Sequence, residues 1–104
     1  MAPMSTSITR PRVEAKPKTA RPKAHKVILL NDDFTPREFV VMVLRAIFRM
    51  NSDQARGVML TAHQRGCCVV AVYTREIAET KATQAIDMAA REGYPLMFTT
   101  EPED

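Results

Sequence analysis

From residue 27 onward the apolar positions alternate between consecutive runs and stripes spaced at the helical period. Val27, Ile28, Leu29 and Leu30 are consecutive, the pattern of a strand buried on both faces, and a strand is predicted over 25–30. Thr35-Pro36-Arg37-Glu38 then reads as a helix start, with Thr35 as the cap, Pro36 at the first helical position and Glu38 completing a capping box. The helix is predicted to run to about residue 50. Val40, Val43, Leu44, Ile47 and Phe48 face inward, Glu38, Arg45 and Arg49 share the wet face, and Met42 lies exposed beside them. A second helix opens at 51–53 with Ser52 as its cap, carries Ala55, Val58, Met59 and Ala62 on its apolar side and stops at Gly66. Residues 67–73 form a second strand. Thr74 caps a third helix, about 75–92, stopped by Gly93, whose face of Ile77, Ala78, Ala82, Ala85, Ile86 and Ala89 suits close packing on a sheet. A last strand covers 96–100. The order β-α-α-β-α-β predicts an α/β (α+β) two-layer sandwich, a small three-stranded sheet packed on three helices.

Residues 1–24 break this patterning. Pro3, Pro11, Pro17 and Pro22 stand among Ser, Thr, Ala, Lys and Arg, with too few apolar side chains to offset the entropy of ordering the chain. They are expected to form a disordered basic arm ahead of a core domain at 25–104. The arm carries six basic residues and Glu14, a net charge of 6 − 1 = +5, whereas residues 25–104 hold 9 basic and 11 acidic residues, a net of −2. The overall charge of +3 therefore belongs to the arm. Basic arms bind phosphates without sequence preference, but this one has no aromatic interleaved for base stacking, and a nucleic-acid role is not expected. No run approaches the roughly 18 apolar residues of a membrane span, and no apolar stretch near the N-terminus reads as a secretory signal. Cys67 and Cys68 are adjacent; in a strand they point to opposite faces, so no mutual disulfide is expected and a reducing cytoplasm is the simplest setting.

The densest polar chemistry is Asn31-Asp32-Asp33, at the strand-to-helix junction. One reading is turn chemistry, since Asx side chains bond their own backbone. The other is an acceptor cluster for an ammonium group, with an amide oxygen from Asn31 and a carboxylate from Asp33. His63 stands on an otherwise apolar helix face next to Met59. It is either a satisfied boundary residue or a third polar group around the same ligand, in which case its titration would weaken binding in acid. Met59, Ala62, Val40 and Leu96 are core residues by default, and the wall of an apolar pocket if they lie beside those polar groups. Asp32, Asp33 and His63 are also possible metal donors, but no second histidine stands at ligand spacing. A thiol enzyme built on Cys67 or Cys68 with His63 has no supporting motif. Neither a metal nor a cofactor is expected.

Three segments carry a family resemblance. The run of residues 26–36, from Lys26 through Asn31-Asp32-Asp33-Phe34-Thr35-Pro36, continues into Glu38-Phe39-Val40. Met59-Leu60-Thr61-Ala62-His63 and Val72-Tyr73-Thr74-Arg75-Glu76-Ile77-Ala78-Glu79-Thr80-Lys81 follow in order. Together they resemble ClpS, the bacterial adaptor of the N-end rule pathway, over about residues 25–100. The resemblance implies a non-enzymatic adaptor, a monomer, that binds substrates beginning with Phe, Tyr, Trp or Leu and hands them to the unfoldase ClpA for degradation by ClpP. By family likeness Asn31, Asp33 and His63 hold the free α-amino group and Asp32 orients the first peptide group or the loop. Thr35, Val40, Met59, Ala62 and Leu96 surround the first side chain, with Arg37 at the rim. Glu76 and Lys81 match positions that contact the unfoldase.

Two positions depart from the family pattern. Arg37 stands where many members carry Met, and Ala62 where a larger Val is common. A charged rim and a wider wall leave Phe and Tyr as good ligands and are expected to shift the ranking of Leu and Trp. The alternatives are a domain that modulates the unfoldase without delivering N-degrons, and a small RNA-binding domain using the basic arm.

Overall fold

A computed structural model describes residues 23–103 of the chain. The expected arm lies almost wholly outside them. Six elements follow in the predicted order: β1 (Ala24–Leu30), α1 (Arg37–Phe48), α2 (Ser52–Arg65), β2 (Cys67–Thr74), α3 (Arg75–Arg91) and β3 (Met97–Pro102). The strands form one antiparallel sheet in the order β2-β1-β3. Between β1 and β2 the register runs Val27↔Ala71 and then Ile28↔Val69, so Val70 is the extra residue of a bulge.

Alternation along β1 divides the sheet into two unlike faces. Val27 and Leu29 are buried and join Val43, Leu44, Leu96, Phe98 and the alanines Ala78, Ala82, Ala85 and Ala89 in the core. Ile28 points the other way, and Leu30 beyond it is 37% exposed. The expectation of a strand buried on both faces through Leu30 is thus corrected: helices cover one face, and only Ile28, flanked by Val69 and Thr99, is shielded on the other.

The helix ends also differ from the pattern reading. α1 begins at Arg37, with Pro36 extended at the N-cap position and no side-chain cap. Thr35 stands one residue ahead of the N-cap position, with its hydroxyl turned back to donate to Asp32. Glu38, expected to close a capping box, instead reaches Arg56 on α2. Asn51, rather than Ser52, caps α2. Its side chain accepts from the Gln54 N–H at 2.8 Å while Gln54 accepts from the Asn51 N–H at 3.0 Å, a complete capping box. α1 stops two residues short of 50 because Arg49 turns left-handed, with φ 59°. Val41 is buried with the expected apolar stripe. Ile77, assigned to the small-residue face of α3, is 47% exposed. At about 100° per residue it stands a quarter turn from the line of Ala78, Ala82, Ala85 and Ala89.

Candidate functional site

The loop 31–36 leaves β1 at the edge of the core and is tied at both ends. At its start the Asn31 N–H donates to the Gly66 carbonyl at 2.9 Å. Gly66 ends α2 with φ 95°, a left-handed conformation that glycine adopts without Cβ strain. The bond therefore joins the loop to the turn of α2 that carries His63. Within the loop, Asp32 Oδ1 accepts from the N–H groups of Phe34 and Thr35, both at 2.7 Å, and the Thr35 hydroxyl lies 2.8 Å from Oδ2. Asp32 is thereby consumed as an Asx-turn acceptor. The turn reading of Asn31-Asp32-Asp33 holds for Asp32. Asp32 builds the turn, while the Asn31 amide and the Asp33 carboxylate make no hydrogen bond to another described side chain.

Under this loop is a cavity of about 300 Å³. Its lining includes every residue expected of the pocket: Asn31, Asp32, Asp33, Thr35, Arg37, Val40, Met59, Ala62, His63 and Leu96. The floor is apolar and buried, from Val40 on α1, Met59 and Ala62 on α2, and Leu96 just before β3. Asn31, Asp33, Arg37 and His63 are exposed at the mouth. The cavity stands at the small end of the roughly 300–1,000 Å³ range of small-ligand sites.

The Arg37 guanidinium lies 3.0 Å from His63 Nε2. Arginine has only donors, so Nε2 is the acceptor in this contact. Leu29, Leu30, Phe34 and Pro36 also line the cavity and were not expected to. Leu30 follows from strand alternation, which turns it away from the core next to the loop. Nothing in the sequence pattern marks Phe34, which stands 81% exposed.

Glu76 and Lys81 lie on α3 and do not line the cavity. Glu76 is exposed. The Lys81 ammonium donates to the Ile47 carbonyl at 2.9 Å and sits 5.7 Å from the centre of the Tyr73 ring. Among the described residues no three His, Cys, Asp or Glu side chains converge as metal ligands, and no helix is long and apolar enough to cross a membrane.

A buried apolar socket with the Asn31 amide and the Asp33 carboxylate exposed at its mouth has the form of a small-ligand binding site. Comparison with known proteins makes this specific. The family model for "ATP-dependent Clp protease adaptor protein ClpS" matches residues 20–99. The chain is 61% identical over 101 residues to the ATP-dependent Clp protease adapter protein ClpS 1 of Bradyrhizobium diazoefficiens, covering 97% of this chain and 100% of that one. It is 62% identical over 96 residues to ClpS 2 of Mesorhizobium japonicum, covering 92% and 95%. The solved structure of Agrobacterium tumefaciens ClpS2 bound to L-phenylalaninamide superposes with a TM-score of 0.79 at 63% identity, over 80% of this chain and 100% of that one. The chain belongs to the ClpS family of Clp protease adaptors, which are not enzymes.

Proposed function

We propose that this adaptor captures proteins by a free N-terminal residue of the Phe, Tyr, Trp or Leu class and delivers them in the cytoplasm to the ClpA unfoldase of the ClpAP protease. The observation that carries the reading is the pairing of the Asn31 and Asp33 acceptors with the socket of Val40, Met59, Ala62 and Leu96 under one mouth. An α-ammonium and the side chain on the same carbon reach both at once. That the related A. tumefaciens protein was solved with L-phenylalaninamide, a free amine carrying a large aromatic group, supports the same occupant here.

In the proposed complex Asn31 and Asp33 accept from the ammonium, and Asp32 holds the loop that presents them. His63 joins as an acceptor once Arg37 releases Nε2. Burial of a large side chain contributes about 1.5–3 kcal/mol. Leaving the acceptors unpaired costs roughly 1–3 kcal/mol. Micromolar binding needs about 8 kcal/mol, so neither part suffices and bonds to the second residue's backbone complete it. Blocking the amine removes the charge and donors that the mouth is built to meet. Glu76, exposed on α3, is the side chain offered to the unfoldase, and the monomer is the delivering form.

The test is binding of a labelled peptide beginning with Phe, beside its N-acetylated twin. Binding of the free amine alone is expected. No binding of either by folded protein would leave a domain that modulates the unfoldase without recognising N-termini. Asn31→Ala and Asp33→Ala should each abolish binding while the protein stays folded; unchanged affinity in either would remove that residue from the amine site.

A further inference from the structure

Among the described residues, Arg37 at the mouth of the pocket has no counter-ion. The ion pairs among the described residues are Lys26–Glu101, Glu38–Arg56 and Arg75–Glu79, and Arg37 is in none of them. Nor do the two nearby carboxylates meet it: Asp32 is spent on Thr35 and Phe34, and Asp33 forms no ion pair with it. The only side-chain partner it has among the described residues is the ring nitrogen His63 Nε2, at 3.0 Å. A guanidinium carries several donors in a planar fork shaped for a carboxylate, and one bond to an imidazole leaves most of the fork open.

We infer that Arg37 is a specificity-determining residue that recognises a carboxylate next to the captured residue, so that chains with Asp or Glu in second position are preferred. The inference rests on the amine-site reading above. With the first side chain in the cavity, the chain leaves through the mouth and brings the second residue past Arg37 and His63, which are exposed there. A carboxylate there offers the guanidinium a charged, two-point partner in place of one ring nitrogen. The exchange has a second effect. When Arg37 turns to the carboxylate it releases His63 Nε2, and the freed lone pair becomes available to the ammonium. An acidic second residue thus strengthens capture of the first, while a basic one meets an unneutralised cation. The same carboxylate chemistry could be supplied by the α-carboxylate of a lone amino acid.

The experiment compares three peptides with Phe first and Asp, Ala or Lys second, otherwise identical and amidated, on the full chain and on Arg37→Met and Arg37→Lys variants. L-phenylalanine is run beside L-phenylalaninamide. The wild-type protein should bind the Asp peptide about fivefold more tightly than the Lys peptide, the size expected of exposed charge pairs, and added salt should shrink the ratio. The ratio should fall to near one in Arg37→Met, whatever its absolute affinity, and persist in Arg37→Lys. A flat series with an Arg37-dependent gain for phenylalanine over its amide would assign the carboxylate to the amino acid itself. A flat series with no such gain, or an equal ratio in Arg37→Met, overturns the assignment and leaves the amine site standing. Failure of all three peptides to bind would remove the amine-site reading and this one with it.

Discussion

The Asn31 N–H donates to the Gly66 carbonyl at 2.9 Å, and this bond sets the two sides of the pocket against each other. Asn31 begins the acceptor loop, and Gly66 ends the helix that carries His63, Ala62 and Met59. Gly66 holds φ 95° with open space where a Cβ would sit, so a side chain there meets conformational strain and no clash. Gly66→Ala should cost about 1 kcal/mol in denaturant unfolding and should also weaken binding of a Phe-initiated peptide. Loss of stability with full retention of affinity would show that the pocket is held together elsewhere.

Asp32 offers a separate handle on the same loop. Its carboxylate takes two backbone N–H groups and the Thr35 hydroxyl, all from residues 34 and 35. Asp32→Ala leaves those donors without their partner, at about 1–3 kcal/mol. The cost falls on the loop and not on the core, so the binding defect should exceed the shift in melting temperature. Asp32→Asn keeps one acceptor oxygen and should restore part of the affinity.

Turn chemistry and ligand chemistry draw on the same residue types, which is why Asn31-Asp32-Asp33 was only half legible. The sequence marks the cluster but cannot say which carboxylate the backbone will consume. That depends on Thr35 facing Asp32, a relationship of three-dimensional turn geometry. The pocket floor was more legible, because Val40, Met59 and Ala62 lie on apolar stripes with a clear helical period. What periodicity cannot tell is whether such a stripe meets other side chains or a hole. The exposure of Leu30 has a related cause: apolar character predicts burial only where a second layer arrives to cover it, and the far face of this sheet has none, whereas Ile77 is exposed because it stands off the alanine line of α3. Asn51 caps α2 in place of the expected Ser52, and Gln54, three residues on, is the sequence signal for it.

Arg49 occupies a left-handed conformation, with φ 59°, where a helix commonly ends on glycine. It also stands one turn from Arg45 on the wet face, a like-charge pair. Arg49→Gly relieves both, against the greater freedom that glycine has in the unfolded chain. A net gain of roughly 0.5 kcal/mol is expected from these opposing terms. Thermal unfolding checks it, and a lower melting temperature would mean that the Arg49 side chain makes a stabilising contribution that the cap geometry does not reveal.

Lys81 holds the end of α1. Its ammonium donates to the Ile47 carbonyl at 2.9 Å, in the last turn, where carbonyls lack intrahelical partners and the helix dipole favours a cation. Lys81→Met keeps the stem and removes the charge, and should cost about 1 kcal/mol. Glu76→Ala, on the exposed start of the same helix, should leave stability within about 0.5 kcal/mol. If both weaken binding to the unfoldase, only the Glu76 effect reads directly as a lost contact. The Lys81 effect has to exceed what its loss of stability explains.

Glu38 links α1 to α2 through a two-point bond to Arg56, at 3.0 and 3.1 Å. The Arg56 hydrogen bonds, and then its charge, hold the Glu38 carboxyl below its ordinary value of 4.5. Because the folded-state value is the lower one, the pair's contribution is fully present above the unfolded carboxyl's titration and is lost as the pH falls through the folded-state value. Both groups face solvent, so the effect is small and salt-sensitive. Glu38→Gln should therefore melt slightly below the wild-type protein at neutral pH and low salt. The gap should close as acidification passes through the folded-state value, which lies below 4.5, where the wild-type carboxyl also becomes neutral. It should narrow in high salt at neutral pH. A gap that stays constant from neutral to acid would show that Glu38 acts through packing or backbone preference and that its charge on Arg56 is incidental.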